Sequence, residues 1–529
     1  MFRNRAFREG IVLAAVCGFL FFFGLSYFGL IGADEPRYAQ VAREMLARHD
    51  WVTPVLGGVP WLEKPPLFYW QAMLAYAALG VNDFAARLPS AVDATLMVLA
   101  VFVFLRKFRP EFELDGALIT ASGAAVIGFA RAASTDMPLA AMFTIGMLAW
   151  YAWHESSKKV WLAFFYTFIG LGVLAKGPVA VFLAAVVIGI YAMMRRGLRL
   201  IARTLWLPGI LLFCCVALPW YVLVQLRNPE FLRVFILQHN LERFGSNLYH
   251  HREPFWFYVP IALLGLLPWT AFAVDAVVDS ARRWWNERQA VPGDGLGLFL
   301  LIWLVVPILF FSLSQSKLPG YILPALPAGS LLIVDYLSRY QEGKPFKKSV
   351  IVFHSLLSVG LIVPAALVST IVLTHHFPWG RPAGFLFAIV AGLAALCALA
   401  LTKYGLRALR FVTLVPLLIA VSAVLRLGAP ALDMSFSARP VAWQLVETQG
   451  QNLPVAVFKA RREVEYGLHF YLNRDIARYE LGQEPDGEHL LVAYQGLAAE
   501  IASRNSGRKI RYLGNFPAQR LEFYRVSAK

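Results

Sequence analysis

The chain has 529 residues, 58% of them hydrophobic before any glycine is counted and only 16% charged. Soluble domains run at about 45–50% apolar with glycine included and about 25% charged, so this composition excludes a soluble globule and points to a polytopic membrane protein. The formal net charge of +16 does not point to nucleic acid, because Lys and Arg punctuate the ends of apolar runs instead of forming a basic stripe.

In chain order, Arg3, Arg5 and Arg8 precede a long apolar run. It is too long for a signal-peptide core and has no Ala-x-Ala site behind it, so it reads as an uncleaved first span. A spanning helix needs about 17–25 mostly apolar residues. Thirteen segments meet or approach that: 10–32, 83–105, 115–130, 135–153, 160–175, 178–194, 205–225, 254–275, 297–314, 318–338, 349–374, 382–402 and 408–427. Cys17, Cys214, Cys215 and Cys397 all lie inside such runs, with no CxxC spacing, and read as small core residues.

Basic residues crowd alternate connections, for example Arg106/Lys107/Arg109, Arg195/Arg196/Arg199/Arg203 and Arg282/Arg283/Arg288. The opposite set includes four very short connections with one basic residue each, Arg131, Lys176, Lys317 and Arg381. The positive-inside rule then puts the N-terminus in the cytoplasm, and thirteen spans put the C-terminal segment outside. Two connections on the external side are long, 33–82 and 226–253. In the first, Tyr38, Val41, Ala42, Met45 and Leu46 share one helical face, which predicts an amphipathic helix in the outer interface. From about 440 the pattern changes to short apolar runs between polar turns. Leu453–Phe458, Leu490–Tyr494 and Lys509–Leu513 read as strands, Glu463–Leu472 and Leu497–Ser503 as helices. The expected architecture is a helical membrane domain over 1–430 and a small external α/β domain over 431–529.

This topology gathers polar residues at one membrane boundary, where function concentrates: Asp34, Glu35 and Arg37; Glu63 and Lys64; Asp136; Lys176; His239 and Arg243; Lys317 and Tyr321. Carboxylates beside several cations suit an anionic, phosphorylated substrate and acid/base or cation chemistry. Each has a plainer rival. Asp34 and Asp136 stand where helix caps stand, Lys64 could snorkel to water, and Lys176 before Gly-Pro could simply end one helix. His250 and His251 read as exposed loop residues.

The stretch ADEPRYAQVAREML…DWVTPVLGGVPWLEKPPLFYW resembles the first external loop of the GT-C membrane glycosyltransferases. STDMPLA, LAKGPVA, QHNLERF…HREPFWFYVPIALLGLLPW and SKLPGYILPALP continue the likeness in order over roughly residues 10–340. It is most similar to the family of the lipid A aminoarabinose transferase and its relatives, the protein O-mannosyltransferases. That resemblance implies a GT-C fold and inverting transfer of a sugar from a polyprenyl (undecaprenyl) phosphate carrier at the periplasmic face of a bacterial inner membrane. No nucleotide cofactor is implied. The implied acceptor is a lipid or glycan, most directly a lipid A phosphate. By the same resemblance Asp34 is the loop carboxylate that acts as base or orienting group, and Asp136 a second carboxylate at the cavity. Lys64, helped by Arg37, contacts the carrier phosphate. Tyr38 and Tyr321 lie near the donor, while Lys176 and Lys317 join the cations on the carrier side. Glu63 and His239 match positions that hold a divalent metal, zinc, although zinc ordinarily takes three or four protein ligands or adds water. Two alternatives stand beside this reading: a related transferase with another sugar and acceptor, such as protein O-mannosylation, and a lipid or sugar flippase. Transporters place charges near the midplane and use repeated halves, and this pattern does neither.

Overall fold

The computed structural model describes residues 2–195, 197–235, 253–287, 295–340, 346–449 and 453–528. Its first helix, α1 (Phe2–Cys17), runs into a π-helical turn at Gly18–Phe22 and stops there. The sequence predicts a span to residue 32. Gly24, at φ +68°, turns the chain instead, and two buried arginines take up the carbonyls that a continuing helix would have paired. Arg131 donates to Leu20, Phe23 and Gly24 (3.2, 2.8 and 3.0 Å), and Arg87 to Leu25, Phe28 and Gly29 (2.6, 2.8 and 2.8 Å). Irregular backbone survives among apolar surroundings only when its polar groups are satisfied within the protein.

The first loop folds as α2 (Asp34–Ala47), a short hairpin β1 (Val55–Leu56) and β2 (Val59–Pro60), and α3 (Leu67–Leu79). The apolar face of α2 is buried as its spacing predicts, with Tyr38, Val41, Ala42 and Met45 packed on Phe68, Tyr69 and Met73 of α3. Asn82 caps α4 (Asp83–Phe108) by accepting the Ala85 N–H at 2.9 Å. Next come α5 (Glu113–Ala121) and α6 (Ala124–Ala130), which meet at 64°. Residues 136–156 form α7, buried along most of its length, and Lys159–Lys176 form α8, packed against it.

Among the described residues seven helices are long and apolar enough to cross a membrane, or up to nine if each of two bent pairs is one span. The chain is a multi-pass helical membrane protein. The expectation of thirteen spans is finer than these helices support. Segments 115–130 and 254–275 are broken, the latter by 118°, and Val179–Met194 and Leu296–Ser312 are short.

Toward the C-terminus a five-stranded sheet runs in the order β4 (Ile476–Arg478), β3 (Val455–Phe458), β5 (His489–Tyr494), β7 (Leu521–Val526), β6 (Ile510–Phe516). The first three strands are parallel and β7 is antiparallel to both neighbours. β4 and β7 were not legible as strands: β4 is only three residues long, and β7 interleaves Glu522 and Arg525 with its apolar face. Helices Arg439–Gln449 and Arg462–Leu472 belong to this C-terminal unit, and the second of them lies on α2.

Candidate active site

Two glutamates shape the first loop around the site. Glu35 is 6% exposed. Its carboxylate accepts from Arg87 Nη2 and Nε (2.7 and 3.1 Å) and from the backbone N–H groups of Ile31 and Ala133 (both 2.8 Å). One side chain therefore ties the start of α2 to α4 and to the segment that leads into Asp136. Glu44, two and a half turns along α2, accepts the N–H groups of Gly57 and Gly58 at 2.9 and 3.2 Å. Both glycines have positive φ, +59° and +78°, which the tight hairpin requires. The hairpin delivers Trp61, Glu63 and Lys64.

Asp34 is the first residue of α2, but the cap position belongs to Ala33 and no side chain caps the helix. The Asp34 carboxylate is 57% exposed and pairs with Arg37 one turn on. The Arg37 guanidinium is 12% exposed and stands over the rings of Tyr38, Trp61 and Tyr466 at 5.0, 5.2 and 5.7 Å. Burial opposes its charge, yet Tyr38, Asp34 and Glu63 together hold its pKa above the usual arginine value. Burial also raises the Tyr38 hydroxyl, so Tyr38 is a neutral hydrogen-bonding group at pH 7. Three donors gathered here are buried without a hydrogen-bond partner: Arg37 Nε, Trp61 Nε1 and Tyr69 Oη. An unmet buried donor costs about 1–3 kcal/mol. One on the guanidinium and two beside it describe a place suited to an acceptor-rich anion.

Asp136 begins α7, and there too the cap position, Thr135, makes no side-chain cap. Its carboxylate accepts from Ser134 Oγ at 2.9 Å and forms an ion pair with Lys176 at the end of α8. Lys64 acts electrostatically on the same carboxylate, and Asp136 on Tyr38. The Lys176 ammonium lies 4.7 Å from the Tyr321 ring. Gly320 explains the close approach of that segment, since a Cβ there would come within 2.9 Å of the Asp136 carboxyl group. Asp34, Arg37, Tyr38, Glu63, Lys64, Asp136, Lys176 and Tyr321 thus form one linked constellation.

Lys317 plays a different part. It is 7% exposed, and its ammonium donates to the Ser314 and Glu253 carbonyls (2.7 and 3.0 Å), where it pins the turn before Tyr321. His239, Arg243, His250 and His251 lie outside the described residues. Among the described residues no group of three His, Cys, Asp or Glu could hold a metal, and His239, the expected partner of Glu63 at a zinc ion, is not one of them. Glu63 lies in the field of the Arg37 cation. Sequence reasoning missed Glu35–Arg87, Trp61 and Tyr69. The one available signal was Arg87, a charge within a long apolar segment.

Residues 8–235 match the dolichyl-phosphate-mannose-protein mannosyltransferase family. An undecaprenyl phosphate-α-4-amino-4-deoxy-L-arabinose arabinosyl transferase from Pseudomonas aeruginosa (strain UCBPP-PA14) is 32% identical over 407 residues, covering 75% of this chain and 72% of the relative. The chain belongs to this aminoarabinose transferase family. A second member, from Aeromonas hydrophila, is 33% identical over 337 residues, 62% of this chain and 60% of its own. The likeness in fold extends over most of the chain. The crystal structure of ArnT from Cupriavidus metallidurans bound to undecaprenyl phosphate superposes with a TM-score of 0.77 at 21% identity, covering 97% of each chain. These aminoarabinose transferase relatives are enzymes, and they lend the flippase alternative no support.

Proposed function

We propose that the chain transfers 4-amino-4-deoxy-L-arabinose from undecaprenyl phosphate to a phosphate of lipid A, with inversion at the sugar, at the periplasmic face of the inner membrane. The observation that carries this reading is the cationic cluster of Arg37, Lys64 and Lys176, in which Arg37 Nε and the neighbouring Trp61 Nε1 and Tyr69 Oη are buried donors without partners. Its chemistry fits the reaction. The bond between sugar C1 and the carrier phosphate oxygen breaks as an acceptor phosphate oxygen bonds to C1 from the opposite side. The carrier phosphate passes from a singly charged diester to a monoester bearing a second negative charge. Preorganised cations stabilise that charge as it develops. In this arrangement Asp136 orients Lys176, Tyr38 and Tyr321 wall the donor, and Asp34 holds Arg37 while it faces the acceptor side. The relatives' names support the donor and sugar.

Purified protein given undecaprenyl-phosphate aminoarabinose and lipid A should produce lipid A heavier by one aminoarabinose in mass spectrometry. Unmodified lipid A together with transfer to a protein hydroxyl would instead favour the O-mannosyltransferase-like alternative.

Lys64 gives the sharpest binding test. A charge-assisted hydrogen bond to phosphate contributes about 1.5–3 kcal/mol. Lys64→Ala should therefore weaken binding of undecaprenyl phosphate roughly 10- to 150-fold at about 1.4 kcal/mol per decade. Unchanged affinity in a well-folded variant would remove Lys64 from the carrier site.

The same reading places the N-terminus in the cytoplasm, the thirteen-segment arrangement across the membrane, and residues 431–529 outside as a periplasmic α/β domain. The support is the alternation of basic connections. A periplasm-dependent phosphatase fused behind the C-terminal unit should be active. Activity only from a cytoplasmic reporter at that position would reverse the orientation.

A further inference from the structure

The C-terminal unit reaches the site through one helix. Arg462–Leu472 lies against α2, and Phe470, 4% exposed, completes the apolar core that α2 and α3 share. Arg43 of α2 donates to the Phe470 carbonyl at 2.7 Å, near the negative end of that helix. Next in sequence, the Tyr471 hydroxyl accepts the Leu30 N–H at 2.6 Å and donates to Asp83 at 2.7 Å. These contacts fix the helix on the first loop. One turn before Phe470, on the same face, Tyr466 places its ring 5.7 Å from the Arg37 guanidinium.

We infer that Tyr466 is a positioning residue for donor binding: it is the third wall of an aromatic box that orients Arg37 toward the carrier phosphate. Tyr38 and Trp61 supply the other two walls from the first loop. Arg37 Nη2 donates to Asp34 and to the Tyr38 hydroxyl, the latter at 3.3 Å, whereas Nε is buried without a hydrogen-bond partner and is the edge that such a box leaves for a ligand. Removing one wall lets Arg37 leave the productive orientation without removing any group that touches the sugar. The inference rests on the reading of Arg37 as a carrier-phosphate ligand.

The test uses full-length purified protein with undecaprenyl-phosphate aminoarabinose and lipid A. Tyr466→Phe keeps the ring and should retain the wild-type KM for the donor. Tyr466→Leu and Tyr466→Met keep apolar bulk and should raise that KM about three- to tenfold, the range expected for one lost cation–π wall. Their kcat and melting temperature should stay near wild type, a split that a purely structural role would not give. In an Arg37→Ala background the Tyr466 substitutions should add nothing further. If Arg37→Ala raises the donor KM but Tyr466→Leu and Tyr466→Met do not, or if the two effects simply add, the inference is overturned while the carrier reading stands. If Arg37→Ala leaves the donor KM unchanged, the carrier reading falls and the role of Tyr466 falls with it.

Discussion

Asp34→Asn is expected to lower turnover at saturating donor by about 10²–10⁴ while the protein still accumulates in the membrane. The substitution keeps shape and hydrogen-bonding capacity, and it cannot harm a cap, because α2 is capped at Ala33 without any side chain. What it removes is a carboxylate charge that is 57% exposed and paired with Arg37. With a phosphate acceptor, already ionised at neutral pH, the loss falls on the orientation of Arg37 and on stabilisation of positive charge developing at the sugar. With a hydroxyl acceptor it falls on proton removal, and the rate would then also gain a steeper dependence on pH. Single-turnover measurement with labelled donor reads the step directly. Near wild-type turnover would show that Asp34 only decorates the helix start.

One residue further on, the expected result is the opposite in kind. Glu35→Ala leaves the fully buried Arg87 guanidinium without its counter-charge and leaves the Ile31 and Ala133 N–H groups unmet. Breaking a buried ion pair by removing one partner costs about 3–5 kcal/mol. Membrane accumulation and the melting temperature in detergent should both fall sharply. Wild-type behaviour in both would mean that the carbonyls around Arg87 balance its charge alone.

This contrast between neighbours marks what sequence could and could not supply. Residues 34 and 35 are both acidic and both lie before an amphipathic repeat, and nothing in their local pattern distinguishes a site carboxylate from a structural one. The distinction comes from Arg87, 52 positions along the chain from Glu35, and only folding brings the two together. The buried face of α2 was legible because it is a local periodicity. The constellation of Asp34, Arg37, Lys64, Asp136 and Lys176 was legible as a shared side because alternating charge sets topology, a property of long segments. Lys317 was misleading for the same reason. A lysine in a short external connection looks available, but its ammonium is engaged by two carbonyls that carry no signal in sequence. The first span was overextended because 23–30 is apolar in composition, while its backbone depends on two distant arginines.

The insertion of Phe470 among the apolar residues of α2 and α3 has a consequence for biosynthesis. The ribosome finishes α3 nearly four hundred residues before it makes Phe470, an interval of roughly 20–80 s at bacterial elongation rates. For that time the apolar core of α2 and α3 that Phe470 joins waits with that side of its packing missing. The nascent chain is accordingly expected to have a protease-sensitive first loop until residues 462–472 emerge and dock. Arrested chains of increasing length, probed by limited proteolysis between residues 34 and 79, would show protection arriving in one late step; protection already present in chains arrested at 430 would contradict it. The first loop is thus translated long before the helix that completes its packing.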